Sequence, residues 1–197
     1  MGQGITMQWD KQQIQVSAYG DGIIRICELN NGKQPYSAAV ELTVEQQQKV
    51  AVAQYQVSEQ GASTVFETAL LRAEVEPDGT ITFYNKKNNE KLTCVSETQE
   101  IKKTTLTEEE KAFIGMEGHE SGDEVQAKVN LSLSLDEADC IYGLGDKTGV
   151  LNKREYEYEM WNSDIPAPHE DNFKSLYKSV PFMIVLKENA VYGVFFD

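Results

Sequence analysis

The sequence is poor in the residues that build metal sites and disulfide frameworks. Its 197 residues include three cysteines, Cys27, Cys94 and Cys140, and two histidines, His119 and His169. The cysteines are far apart, odd in number and form no Cys-x-x-Cys pair, which argues against zinc sites and disulfides. We interpret the acidic surroundings of His119 as a solvated loop rather than a metal cluster. We therefore expect no metal, no cofactor and a cytoplasmic location.

Long hydrophobic runs and positive charge are also scarce. No apolar stretch reaches the roughly 18–20 residues that cross a bilayer. The first residues lack the basic and apolar regions of a signal peptide. With 18 basic and 32 acidic residues the net charge is −14, which argues against nucleic acid or an anionic membrane as a partner. An acidic surface is compatible with a neutral ligand such as a sugar, although it does not point to one.

Short apolar alternations separated by turn residues dominate the chain. The clearest hairpin surrounds Pro77-Asp78-Gly79, because proline presets φ at the second turn position and glycine accepts a positive φ. Residues 44–59 mix helix-favouring and strand-favouring residues, and we predict a strand from about Ala51. Residues 97–124 are predicted to be a polar insertion with a short helix at 107–111. Alternation returns at 125–135, which predicts a half-buried strand.

This pattern predicts an all-β fold. Many short strands, turns between them, and the absence of an alternating βα pattern are typical of an antiparallel β-sandwich. We expect one or two short helices and a single domain over residues 1–197.

The last third of the chain carries the most informative phrases, and the loop at 160–166 is the most polar of them. Trp161, Asn162 and Asp164 combine an apolar ring that can stack on a pyranose with forked acceptors for its hydroxyl groups. The alternative is a tryptophan that plugs the core beside a turn-capping Asp164. The phrases are Ile-Tyr-Gly-Leu-Gly-Asp at 141–146, Leu-Asn-Lys-Arg at 151–154, Met-Trp-Asn-Ser-Asp-Ile-Pro at 160–166, Leu-Tyr-Lys-Ser-Val-Pro-Phe at 176–182 and Tyr-Gly-Val-Phe-Phe-Asp at 192–197.

In this order the phrases resemble the N-terminal domain of glycoside hydrolase family 31, the α-glucosidase and α-xylosidase family. The resemblance implies a galactose-mutarotase-like sandwich followed, beyond Asp197, by a catalytic (β/α)8 barrel as intramolecular partner. It also implies that the loop reaches over the barrel mouth, where Asp164 helps to bind the sugar while Trp161 and Asn162 hold the loop's shape. Ser163 stands where many members carry arginine, which puts the contacts of that arginine in doubt.

The chemistry of hydrolysis is expected to lie elsewhere. A retaining glycosidase needs two carboxyl groups about 5–5.5 Å apart, and in the resembled family both come from the barrel. Its W-x-D-M-N-E-type motif is missing here, so we assign no catalytic residue. We expect an excised, non-catalytic domain of a metal-free retaining α-glycosidase, in the first place an α-glucosidase acting on α-linked oligosaccharides. Such a domain should expose an apolar face, with residues 192–196 contributing.

Two alternatives come from other functional classes. One is a free-standing carbohydrate-binding sandwich without catalysis. The other is a mutarotase-like enzyme, which needs a general acid and base at the sugar, usually a histidine with a carboxylate. His119 and His169 lie in a glycine-broken loop and beside two prolines, which disfavours that chemistry.

Overall fold

A computed structural model describes residues 3–9, 12–29, 42–51, 53–104, 124–166, 168–171 and 173–197. Within these ranges the regular structure is almost entirely strand, with the helix α1 (Val44–Ala51) as the exception. The strands, in chain order, are β1 (Gln3–Trp9), β2 (Gln12–Gly20), β3 (Ile23–Glu28), β4 (Gln56–Gln60), β5 (Ser63–Glu67), β6 (Leu71–Val75), β7 (Ile81–Asn85), β8 (Glu90–Thr104), β9 (Glu124–Leu133), β10 (Cys140–Gly145), β11 (Ser179–Leu186) and β12 (Val191–Phe195).

These strands form three antiparallel sheets. The first sheet has the order β1-β2-β3, the second β4-β5-β6-β7-β8-β9 and the third β10-β11-β12. Within each sheet every strand pairs antiparallel with the next one in the sequence. The first and second sheets share one apolar core, which confirms the predicted all-β antiparallel sandwich.

The core lies between the first two sheets and follows from strand periodicity. Every second residue of β2 points into it, because successive side chains of a strand alternate between its two faces. Fully burying one of the larger side chains contributes about 1.5–3 kcal/mol. The Tyr55 ring stacks on the Phe66 ring at a centroid distance of 5.0 Å. The buried members are Ile14, Val16, Ala18, Ala53, Phe66, Ala73, Val75 and Ile81.

The predicted hairpin around Pro77-Asp78-Gly79 is confirmed as the connection between β6 and β7. The Glu76 amide donates to the Thr80 carbonyl oxygen at 2.9 Å. The Asp78 carboxylate accepts a bond from the Thr80 amide, also at 2.9 Å. Gly79 has a φ of 85°, the positive value that the turn requires.

The strand predicted from about Ala51 is found, but the predicted start is wrong. Ala51 is the last residue of α1, and β4 begins only at Gln56. A capping box starts the helix: Thr43 Oγ1 accepts the Gln46 amide at 3.3 Å, and Gln46 Oε1 accepts the Thr43 amide at 2.8 Å. This local cap outweighs the strand-like spacing of the apolar residues. The helix found in the described ranges lacks the length and apolarity needed to span a membrane.

The predicted polar insertion at 97–124 is wrong for its first residues. Residues 97–104 continue β8, which pairs with β9 from Val95 opposite Leu133 to Thr104 opposite Glu124. The strand predicted at 125–135 is confirmed as β9. The helix predicted at 107–111 and the acidic stretch around His119 lie outside the described residues.

A buried ion pair attaches the third sheet to the connection between β9 and β10. Lys187 Nζ in the turn after β11 lies 3.0 Å from Asp139 Oδ2, and the two side chains are 4% and 2% exposed. The same ammonium group contacts the exposed carboxylate of Asp136. Arg154 donates to the backbone carbonyl oxygens of Asp136 and Asp139, so two cations hold this connection.

Candidate functional site

The candidate site is the stretch that connects β10 to β11, residues 146–178, which we call the connecting loop. It leaves β10 through a bulge in which Gly143, Leu144 and Gly145 all have positive φ values of 108°, 70° and 86°. A Cβ atom at Gly143 would lie 2.8 Å from the Phe182 carbonyl oxygen, so the close approach of β10 and β11 requires glycine. Residues 146–166, which follow these glycines and are described throughout, contain no helix, so the glycines do not form a phosphate loop.

Side-chain donors hold the base of the connecting loop by binding backbone carbonyl groups. Lys153 Nζ donates to the carbonyl oxygen of Thr148 at 2.9 Å, and the Tyr158 hydroxyl donates to the same oxygen at 2.8 Å. The Thr148 hydroxyl in turn donates to the Phe173 carbonyl oxygen at 2.8 Å. These bonds fix the first part of the connecting loop, residues 148–158, to Phe173 in its second part. Burial raises the pKa of Tyr158, and the nearby Tyr156 and Asp171 add to this.

Lys147 bridges the loop and the sheet. Its ammonium group donates to the Glu159 carbonyl oxygen at 2.7 Å and to the Ser179 hydroxyl at 3.1 Å. Burial lowers the pKa of Lys147, and the negative charge of Glu159 partly opposes that effect. The lysine thus joins the residues just before the Trp-Asn-Ser-Asp phrase to the first residue of β11.

Asn162 is an exposed residue that is bonded to the first residue of β11. Its side-chain oxygen accepts a hydrogen bond from the Ser179 amide at 2.8 Å. The next residue, Ser163, donates its amide to the Leu176 carbonyl oxygen at 2.9 Å. Its hydroxyl also lies 3.2 Å from the Ser175 hydroxyl. Asn162 therefore helps to fix the backbone between Trp161 and Asp164.

Trp161 and Asp164, in contrast, are directed towards solvent. Trp161 is 72% exposed, so the alternative in which it plugs the core is wrong. The Asp164 side chain is exposed, and within the described residues it has no hydrogen-bond or ion-pair partner. The turn-capping alternative for Asp164 finds no support there. The loop thus presents an exposed carboxylate and an exposed indole ring, separated by the anchored residues Asn162 and Ser163.

A second contact group, which the sequence did not predict, holds the tip of the loop. His169 Nε2 lies 3.2 Å from both the Ile165 carbonyl oxygen and the Tyr177 hydroxyl. The Tyr177 hydroxyl also donates to the Ile165 carbonyl oxygen at 3.0 Å. His169 meets the edge of the Phe173 ring at a centroid distance of 6.2 Å. These contacts fix Ile165, the residue next to Asp164, and engage His169 within the loop.

The third sheet carries an exposed apolar face beside this loop. Alternate residues of β11 point to it, and the register sets Phe182 opposite Phe195 and Leu186 opposite Val191. The same alternation directs Tyr192 to the other face, where its hydroxyl is buried. Among residues 192–196, which were predicted to contribute to this face, Phe195 lies on it and Tyr192 does not. The apolar face consists of Val180, Phe182, Ile184, Leu186, Val191 and Phe195, each 39–62% exposed.

The described residues contain no group of three or more His, Cys, Asp or Glu side chains that could hold a metal ion. Cys27, Cys94 and Cys140 are free thiols. His119 is outside the described ranges.

Comparison with known proteins decides the family. Residues 13–197 match the family model described as the glycosyl hydrolase 31 N-terminal galactose mutarotase-like domain. The chain belongs to this family. The mutarotase-like domain of this chain is also 42% identical over 72 residues to alpha-glucosidase 2 of Bacillus thermoamyloliquefaciens, which covers 36% of this chain and 9% of that protein.

Solved structures support the same fold. The chain is similar to a family 31 α-xylosidase from Xanthomonas citri (TM-score 0.59, 18% identity, 92% of this chain and 17% of that one). It is also similar to a family 31 dextranase from Flavobacterium johnsoniae, determined with isomaltotriose (TM-score 0.60, 19% identity, 94% and 21%). The mutarotase-like domain thus spans about a fifth or less of these proteins.

Proposed function

We propose that this chain is the non-catalytic N-terminal domain of a retaining α-glycosidase, and specifically of an α-glucosidase that hydrolyses α-linked oligosaccharides. The domain braces a catalytic barrel that follows Asp197 and supplies one wall of the sugar pocket. Membership of the family supports the parent class. The match to an α-glucosidase supports the choice of glucosides over xylosides and galactosides.

One observation carries the sugar-binding role: Asp164 and Trp161 are presented to solvent while Asn162, between them, is fixed. An ionised carboxylate accepts hydrogen bonds from sugar hydroxyl groups more strongly than a neutral acceptor does. An indole face stacks on the apolar face of a pyranose. Because the backbone on both sides is already hydrogen-bonded, little conformational entropy is lost when the sugar binds.

The apolar face of the third sheet supports the bracing role. Its six large side chains form a continuous surface of the kind that monomeric proteins seldom leave in water. Burying the remaining exposed part of each against the barrel contributes on the order of 1 kcal/mol per side chain. The connecting loop joins two strands of the same sheet, so a barrel docked on this face would lie close to the loop that carries Asp164.

The test is Asp164→Ala in the full-length protein, with p-nitrophenyl α-glucoside, α-xyloside and α-galactoside as substrates. We expect the glucoside to be the best substrate and the substitution to raise KM by about 10-fold or more, since each charge-assisted bond contributes roughly 1.5–3 kcal/mol. Asp171→Ala is the matched control, because Asp171 is an exposed carboxylate of the same loop. Wild-type kinetics in Asp164→Ala, or an equal effect of Asp171→Ala, would refute the sugar-binding role.

A free-standing carbohydrate-binding module is the second candidate, and the solvent-directed pair Trp161 and Asp164 favours it because both groups belong to this chain. Titration of the 197-residue chain with maltose separates the two: affinity without a barrel supports the module, whereas affinity confined to the full-length protein supports the accessory domain. The three free thiols are in keeping with the proposed cytoplasmic location.

A further inference from the structure

The Lys147 side chain contacts both the segment before Trp161 and the residue that anchors Asn162. Its ammonium group donates to the Glu159 carbonyl oxygen at 2.7 Å and to the Ser179 hydroxyl at 3.1 Å. The Ser179 amide donates to the Asn162 side chain at 2.8 Å. Ser179 is therefore a common support for the lysine and the asparagine.

The arrangement fixes the position of the loop relative to the sheet. Glu159 also donates its amide to the Lys174 carbonyl oxygen at 2.9 Å, so both of its backbone groups are bound. Its neighbours Met160 and Trp161 are exposed and have no side-chain support of that kind in the described residues. Without the ammonium group, Glu159 would keep its amide bond to the Lys174 carbonyl oxygen. It would lose its connection, through the Lys147 side chain, to Ser179 of β11.

We infer that Lys147 is a positioning residue for the sugar site: by joining Glu159 to Ser179 it acts together with the bonds at Asn162 and Ile165 to set where Asp164 stands relative to the third sheet. Lys147 itself does not touch the sugar. The half-buried ammonium group donates to the Glu159 carbonyl oxygen and to the Ser179 hydroxyl, and a bond from a charged donor is stronger than one between neutral groups. A displacement of about 1 Å at a substrate-binding group can cost as much as 100-fold in rate. This inference rests on the function proposed for Asp164.

The experiment is a double-mutant cycle in the full-length protein, with the p-nitrophenyl α-glycoside that it hydrolyses best. Lys147→Met should raise KM about 10-fold and leave kcat within about 2-fold, because it removes binding and not chemistry. In the Asp164→Ala background the same substitution should change KM by less than about 2-fold, since residues that act through one group are not additive. Lys147→Arg, which retains the charge and the donors, should restore most of the affinity.

Two further variants separate positioning from general stability. Ser179→Ala removes one acceptor of the ammonium group and should give a smaller rise in KM in the same direction. Lys49→Met is the control, because Lys49 is a 74% exposed lysine on α1, and its kinetics should equal wild type. A loss confined to kcat would overturn the inference, because it reports less folded enzyme. Equal rises in KM on Lys147→Met with and without the Asp164 side chain would also overturn it.

The outcomes also distinguish this inference from the function on which it rests. If Asp164→Ala raises KM and Lys147→Met does not, the positioning role fails and the sugar-binding role stands. If Asp164→Ala has no effect, or if no α-glycoside is hydrolysed, both fail together.

Discussion

Replacing Lys187 with methionine should destabilise this domain by about 3–5 kcal/mol, the usual cost of leaving one member of a buried pair without its partner. The ammonium group lies 3.0 Å from Asp139 Oδ2, with the two side chains 4% and 2% exposed. At an effective dielectric constant of about 20, the attraction at that distance is about 5–6 kcal/mol. Asp139 would keep only the bond from the Asp136 amide, at 2.8 Å, among its described side-chain contacts. That remaining bond places the expected loss at the lower end of the range.

Urea denaturation of the chain, followed by circular dichroism, measures this loss. With a slope of about 2 kcal/mol per molar urea, the midpoint of Lys187→Met should fall by roughly 1.5–2 M. Lys87→Met, which alters an exposed lysine in the turn between β7 and β8, should stay within about 0.5 kcal/mol of wild type. The double variant Lys187→Met/Asp139→Leu should recover most of the stability, because no buried charge is left unpaired. A loss below about 1 kcal/mol, or a double variant less stable than the single one, would refute the reasoning.

Two other predictions concern the backbone of β10 and the acid limit of stability. Gly143→Ala should cost about 2–3 kcal/mol in thermal unfolding, because the new Cβ would stand 2.8 Å from a carbonyl oxygen. Gly61→Ala, also at positive φ but with nothing within 4 Å of the new Cβ, should cost only about 1 kcal/mol. Equal losses of stability in the two variants would show that the close approach to the carbonyl oxygen does not matter. The hydrogen bond and charge of Lys187 lower the pKa of Asp136, so the stability from this pair is present above the ordinary pKa of aspartate and is lost as pH falls through the lower folded value. Asp136→Asn should therefore flatten the fall in unfolding midpoint below about pH 4, and an unchanged slope would contradict the assignment.

The parts of the fold that follow from local sequence were predictable, and those that depend on distant partners were not. The hairpin at residues 76–80 is determined by its own turn chemistry, and β9 by an alternation that needs no outside information. Residues 97–104 carry mostly polar side chains, so periodicity gave no sign that β8 continues to pair with β9 over this length. At α1, the apolar spacing favoured a strand, but a capping box of two side chains starts a helix.

The candidate site shows the same division. Trp161, Asn162 and Asp164 were predicted together because they are adjacent in sequence and match a family phrase. Lys147 could not be assigned a role, since its two partners lie 12 and 32 residues further along the chain. The assignment of Asp164 to the sugar, and of a barrel beyond Asp197, remain predictions.

For the sugar-binding role proposed above, the way in which the connecting loop is held has a consequence for how specificity can change. Four side chains of this loop donate to main-chain carbonyl groups, which every amino acid supplies: Lys147, Thr148, Lys153 and Tyr158. The residues that accept these bonds can therefore be replaced without loss of the bonds themselves. Selection, or a library randomised at the exposed positions 160, 161 and 164, can vary the groups offered to a substrate while the scaffold beneath them stays intact. Such a loop combines a fixed shape with a freely variable surface, which suits a domain shared by enzymes that act on different sugars.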